Sequence, residues 1–351
     1  MGRQINVTRL VDAQPVGART WLVLGLCFLA ATSDGYGLLG ASLAAPGIIA
    51  AFHISRATLA PLFSFALFGM LIGAFVSGYL GDKYGRKKGL VLSLLLVSLA
   101  SLACAAAQSF TQLVWLRFVL GLGIGGLLPH VTALMSEYMP RKVRATFTTY
   151  AFMGITVGGV LAGILSASYL KSDWRALFLA GGVLALIVVP LAAWLLPESL
   201  KFLALRPERW AHLRDELRKI SPDIAEDDTF VTEESTVRGS FATLFHGRRK
   251  WITPLLWLAF MCVMLVNFFI NSWIVVVLED LGYSPARAAA VASLYHVGGI
   301  VGGLVIGLAL DWVGPICLGV CALIGCAAAA LINLPQLSQI QIGRASCRER
   351  V

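Results

Sequence analysis

The stretch Gly78-Tyr-Leu-Gly-Asp-Lys-Tyr-Gly-Arg-Lys87 lies between two long apolar runs and decides how the chain is read. It sets one acid, Asp82, three bases, Lys83, Arg86 and Lys87, and turn-making glycines into a tight link between hydrophobic helices. A degenerate copy follows much later as Gly307-Leu-Ala-Leu-Asp-Trp-Val-Gly314. Both fit G-x-x-x-D-x-x-G. Upstream, Gly69, Gly73 and Gly78 correspond to Gly298, Gly302 and Gly307 at one constant offset. A fixed offset over so many positions points to a duplicated membrane unit.

Composition agrees. Of 351 residues, 58% are hydrophobic and 13% charged, against about 25% charged in a soluble domain. The chain reads as an all-α integral membrane protein that needs no soluble domain. Its N-terminus is polar, and the first apolar run is too long for a signal peptide and has no cleavage site. The formal charge of +9 follows from bases gathered in alternate loops, the topology signal of membrane proteins, so nucleic acid is not an expected partner. Six cysteines (Cys27, Cys104, Cys262, Cys317, Cys321 and Cys326) lie in apolar runs without metal-ligand spacing. They read as small buried side chains, with no metal site expected. Residues 341–351, Gln341-Ile-Gly-Arg-Ala-Ser-Cys-Arg-Glu-Arg-Val351, resemble a translated sequencing adapter. They are expected to be a non-native tail on a truncated chain and are set aside.

Runs of about 20 apolar residues span a bilayer. Nine such runs fall at 20–42, 57–80, 89–108, 112–136, 146–169, 176–196, 251–278, 288–310 and 314–334. The expected organisation is an N-terminal segment 1–19, a six-helix bundle 20–196, a linker 197–250, a partial bundle 251–340 and the tail. Bases at Arg3, Arg9 and Arg19, at Lys83–Lys88, at Arg141–Arg144 and in the linker place the N-terminus in the cytoplasm. The linker holds ten acids and ten bases. Helical spacing predicts a short surface helix over 210–220, and the acidic run 223–234 is expected to be loose. Glycines at small-x-x-x-small spacing, such as Gly154 and Gly158, predict close helix packing within a bundle. Trp21, Trp115, Trp194 and Trp251 sit at span ends as interface anchors.

Asp34 is the outstanding candidate for function, because an acid in mid-span costs about 2.5–3.5 kcal/mol on insertion scales. Gly35 and Gly37 beside it are expected to loosen the helix. Counting from the span ends, Asp34 lies about 21 Å in from the cytoplasm and Arg117 about 7 Å in from the outside. With a core of about 30 Å the two share the outer third, so an ion pair between them is allowed. Tyr36, His130, Asn267, Asn271 and His296 are further candidates to line a cavity; Asn267 and Asn271, four apart, share a helix face. Glu137 is expected to pair with Arg141 or Arg144. There is no nucleotide-binding loop and no nucleophile–base arrangement, so neither an enzyme nor an ATP-driven pump is expected.

Several motifs resemble the major facilitator superfamily: the 78–88 link, Arg117-Phe-Val-Leu-Gly-Leu-Gly-Ile-Gly-Gly126, and Pro197-Glu-Ser199 after the sixth span. Within it, Ile5-Asn-Val-Thr8, Val11-Asp12, Ser33-Asp-Gly-Tyr-Gly37, Ala45-Pro46-Gly47, Leu128-Pro129, Ser136-Glu-Tyr138 and Pro140 resemble the aromatic acid:proton symporters. That family's first helix usually reads Asp-Gly-Phe-Asp, whereas Gly37 stands here in place of the second acid. The resemblance implies a fold of two pseudo-symmetric six-helix bundles, of which nine helices are encoded. It further implies alternating access, with Gly78, Asp82, Gly85, Arg86 and Asp311 as a conformational switch. The expected function is proton-coupled import of a small aromatic or other organic acid across a bacterial inner membrane. The expected protein is a monomer, with the proton as coupling ion and no cofactor. The alternatives are a carrier of sugars or aliphatic carboxylates, a drug/proton antiporter, and a sensor or inert fragment.

Overall fold

A computed structural model describes residues 3–168, 173–219, 221, 224–232, 245–247, 249–314 and a few positions from 316 to 324. Lipid offers the backbone no hydrogen-bond partners, so each apolar run closes its own ladder as a helix. Eight helices among the described residues are long and apolar enough to cross a membrane. They are α2 (Ala18–Phe52), α3 (Ala60–Tyr84), α4 (Arg86–Ala105), α5 (Phe110–Tyr138), α6 (Arg144–Ser168), α7 (Trp174–Leu195), α10 (Arg249–Asp280) and α11 (Pro285–Val313). The ninth expected run, 314–334, lies largely outside the described residues. Short helices α1 (Val7–Ala13), α8 (Leu200–Ala204) and α9 (Trp210–Arg218) sit at the linker end, and α9 is the surface helix predicted over 210–220.

The first helix runs ten residues past its expected end. Pro46 lies inside it, and α2 stops only at His53, a left-handed cap whose N–H bonds the Ile49 carbonyl. The turns begin at polar caps: Ser109, Asp173 and Ser284 each accept a backbone N–H of the first turn of α5, α7 and α11.

Glycine sets the helix spacing. In the α3–α5 crossing a Cβ at Gly69, Gly73, Gly121 or Gly125 would stand 2.0–2.2 Å from a carbonyl oxygen of the facing helix. Gly154 and Gly158 make the same approach from α6 to the Phe28 and Thr32 carbonyls of α2. Backbones touch directly, as expected in lipid, where packing rather than hydrophobicity joins helices. The central α2 contacts α5, α6, α7 and α10, and α11 packs along α6. Trp21, Trp115, Trp194 and Trp251 are all exposed at the helix ends.

One element was not foreseen in an all-α reading. β1 (Gln4–Asn6) pairs in parallel with β2 (Thr229–Val231), Ile5 opposite Phe230. Asp228 accepts the Arg3 N–H at 2.9 Å and the Ala225 N–H at 2.9 Å, and Trp210 packs edge-on against Phe230. Asp12 at the end of α1 accepts from the Arg141 N–H and from Arg144 Nη2 (2.8 Å). The stretch expected to be loose therefore fastens the N-terminus across the linker end of the helices.

Substituting Gly125→Ala should cost about 1–3 kcal/mol, since its Cβ would meet the Met70 carbonyl at 2.0 Å. Gly298→Ala, with nothing within 4 Å, should stay within about 0.5 kcal/mol of the parent. Thermal unfolding in detergent compares the two.

Candidate transport site and gate

Gly35 does not loosen α2. A Cβ there would lie 1.8 Å from the Ile155 carbonyl oxygen, so the residue is where α6 seats on α2. Next to it Asp34 is 1% exposed, and its Oδ1 has no hydrogen-bond partner. Arg117 on α5 is 2% exposed; its Nη1 donates to the Gly37 carbonyl at 3.3 Å and its Nε has no partner. Its guanidinium carbon stands 5.9 Å from the centre of the Phe178 ring.

The expected Asp34–Arg117 ion pair is absent among the described residues. Arg117 instead addresses the carbonyl of Gly37, three residues on from Asp34 and about 4.5 Å further along α2. Each charge stands alone, at a cost of several kcal/mol in a dry site. Around Arg117 the helices are pinned by hydrogen bonds: Tyr36 Oη to the Leu177 carbonyl (3.2 Å), Ser101 Oγ to that of Phe178 (2.7 Å) and Ser98 Oγ to that of Gly182 (2.9 Å). These bonds hold α7, and with it the Phe178 ring, beside the guanidinium.

The other polar candidates do not gather here. His130 is fully buried as a peg between α3 and α4. Its ring fills the notches left by Gly81 and Gly89, and its Nε2 meets Ser77 Oγ at 2.7 Å. There it packs α5 against α3 and α4. His296 is 4% exposed and faces Gly159 on α6, with neither ring nitrogen partnered. Asn271 donates to Asn267 Oδ1 at 2.6 Å and to its carbonyl at 2.9 Å, so this pair satisfies itself along α10.

A second polar assembly lies at the linker end. Asp82 and Arg86 form an ion pair across the α3–α4 turn. The turn pivots on Gly85, whose φ of +115° suits only glycine and whose Cβ would meet Glu198 Oε2. Glu198 Oε1 accepts the Lys87 N–H (3.0 Å) and the Ser199 N–H (2.9 Å), placing an anion at the start of α4. The Glu198 carbonyl takes the Tyr138 hydroxyl at 2.7 Å. Glu137 Oε2 accepts from Ser199 Oγ (2.6 Å) and the Lys201 N–H (3.1 Å) rather than pairing with Arg141 or Arg144, both of which Asp12 engages. A cavity of about 600 Å³ lies among Asp82, Arg86, Glu137, Arg144, Lys201 and Arg206. Gly78 faces open space, and Asp311 lies in the last turn of α11.

The family model of the Major Facilitator Superfamily matches residues 17–340. The chain belongs to that superfamily. As a facilitator it is a secondary transporter and not an enzyme. Among curated relatives, the gallate transporter of Pseudomonas putida is 36% identical over 310 residues, 88% of this chain and 69% of the relative. The 4-hydroxybenzoate transporter of Pseudomonas aeruginosa is 35% identical over 317 residues, 89% and 71% respectively. Among solved structures, the xylose transporter of E. coli in a partially occluded inward-open conformation superposes with a TM-score of 0.63 at 17% identity, covering 84% of this chain and 74% of its own.

In this facilitator, Phe178 and Ser101 were invisible to sequence reading, since an aromatic and a serine in apolar spans carry no signal of their own. Glu198 did carry one, through the Pro197-Glu-Ser199 motif. Replacing Glu198 by Gln removes the charge facing two backbone N–H groups and should cost about 1–3 kcal/mol. The exposed Glu208→Gln should be neutral when melting temperatures in detergent are compared.

Proposed function

We propose that this facilitator imports a small aromatic carboxylate together with a proton, Arg117 holding the carboxylate and Asp34 carrying the proton. The supporting observation is that both groups are buried and unpaired. Together they leave the site neutral. An organic anion arriving at Arg117 would leave a net negative charge in a dry layer, and a proton on Asp34 cancels it. Burying net charge is unfavourable, so each ligand raises the affinity of the site for the other. That linkage is symport. The Phe178 ring beside Arg117 offers a flat apolar surface to an aromatic substrate. The names of the relatives, carriers of gallate and of 4-hydroxybenzoate, favour the same substrate class.

In this reading α2–α7 form the first half, α10 and α11 begin the second, and residues 197–250 link them. The bases of the α3–α4 turn, the α5–α6 turn and the linker share one end of the molecule with β1, which favours a cytoplasmic N-terminus in a bacterial inner membrane. Asp82, Gly85, Arg86 and Asp311 would serve the switch between states, and the carrier would work as a monomer.

Uptake of labelled 4-hydroxybenzoate into cells should be saturable and collapse on adding a protonophore, with xylose as the control that is not carried. Arg117→Ala should reduce uptake by at least about tenfold, the loss of a charge-assisted hydrogen bond. Asp34→Asn should abolish accumulation against a gradient yet leave exchange of internal for external substrate. Uphill uptake by Asp34→Asn would overturn the assignment.

A further inference from the structure

The two halves meet along two unlike seams. Along α6 and α11 the contact is continuous, with a glycine of one helix facing a side chain of the other: Gly163 against Ser293, Gly159 against His296, Gly299 against Thr156, Gly303 against Met153 and Gly307 against Tyr150. Such a seam seats side chains of one helix against glycines of the other along its length. Between α2–α3 and α10 the contact is of another kind, at the end opposite the linker. Arg56, in the α2–α3 connection, forms an ion pair with Asp280, the last residue of α10. One layer deeper, the Phe63 and Trp273 rings stand 5.3 Å apart. Behind the ion pair lies a cavity of about 320 Å³ between the halves, lined among others by Ala44, Gly47, Trp174, Glu279 and Ser284. Its floor includes Leu177, whose carbonyl takes the Tyr36 hydroxyl in the Arg117 layer. The cavity therefore lies on the outer approach to the proposed substrate site. Glu279 Oε1 in its wall has no hydrogen-bond partner.

We infer that Arg56 and Asp280 form the outer latch of the transport cycle, a pair of positioning residues that holds the substrate layer closed from the outside. The magnitude suits the task. Both side chains are about half exposed, 47% and 51%, and an ion pair in that setting contributes only about 0.2–1 kcal/mol. That biases an opening equilibrium a few-fold toward the closed state without trapping the carrier there. A buried pair would resist opening on every cycle, and no pair would leave the outer approach unguarded. Among the described residues the α6–α11 seam carries no ion pair, and its hydrogen bond from Thr146 Oγ1 to the Gly307 carbonyl (2.7 Å) is buried, so it acts as the fixed side. This inference rests on the orientation proposed above, and it is independent of what the carrier transports.

The test introduces Ala44→Cys in the full chain and follows its labelling in intact cells by a membrane-impermeant maleimide, above the background of the native cysteines. Arg56→Gln and Asp280→Asn should each speed labelling about two- to fivefold. Arg56→Lys, which keeps the charge, should stay near the parent rate. The double reversal Arg56→Asp with Asp280→Arg should restore slow labelling, an outcome that a merely misfolded single variant would not give. Unchanged labelling in both single variants, or a double reversal that remains fast, overturns the latch. Acceleration seen only in inside-out vesicles supports the latch and overturns the assigned orientation instead. Failure to carry 4-hydroxybenzoate with the labelling pattern intact overturns the substrate reading and supports the latch.

Discussion

Arg117 is surrounded by helices yet answered by one carbonyl, that of Gly37, and one aromatic ring, that of Phe178. A guanidinium so placed keeps its proton and is cut off from bulk water, which makes it costly to bury. The rest of the first half is arranged around that constraint. Tyr36, Ser98 and Ser101 pin α7 against α2 and α4, which keeps the ring in place. Gly35 and Gly158 let α6 close on α2 from the other side, shutting lipid out of the layer. The Asp34 carboxylate, a fraction of a helical turn away, does not pair with it.

The linker end answers a different demand. Its charges are numerous and several are partnered, with Asp82 on Arg86, Asp12 on Arg144 and Glu198 on two backbone N–H groups. Partnered charges at a boundary can exchange partners at small cost, which suits a region that must rearrange. The contrast with the unpaired Asp34 and Arg117 in mid-span is one of partnering: the linker-end charges named hold the protein's own parts in register, while those two lack a charged partner.

Much of this was legible in the sequence because a bilayer enforces simple rules. Runs of about 20 apolar residues became helices close to the expected limits, and the interface tryptophans fell at helix ends. The first span outran its expected limit at 42, since α2 continues through Pro46 to Phe52. That Arg117 and the Asp34 segment lie at a similar level was also readable, because rise per residue is fixed, and Arg117 reaches the Gly37 carbonyl. Their azimuth was not. Which way a side chain points depends on how α2 is turned by α5 and α6, and no spacing within one helix encodes that. For the same reason Glu137, expected to pair with a nearby arginine, found its partners instead in Ser199 and Lys201. The hydrogen bonds of β1 with β2 were hidden because neither segment alternates strongly enough to announce a strand, and their partners lie more than two hundred residues apart.

That last pairing orders events during synthesis. Gln4–Asn6 leave the ribosome before α2 through α7, and Thr229–Val231 are made only after them. The opening residues must therefore wait, unpaired, while six helices enter the membrane. Fastening them to the later segment then marks the moment at which the first half of the carrier is complete.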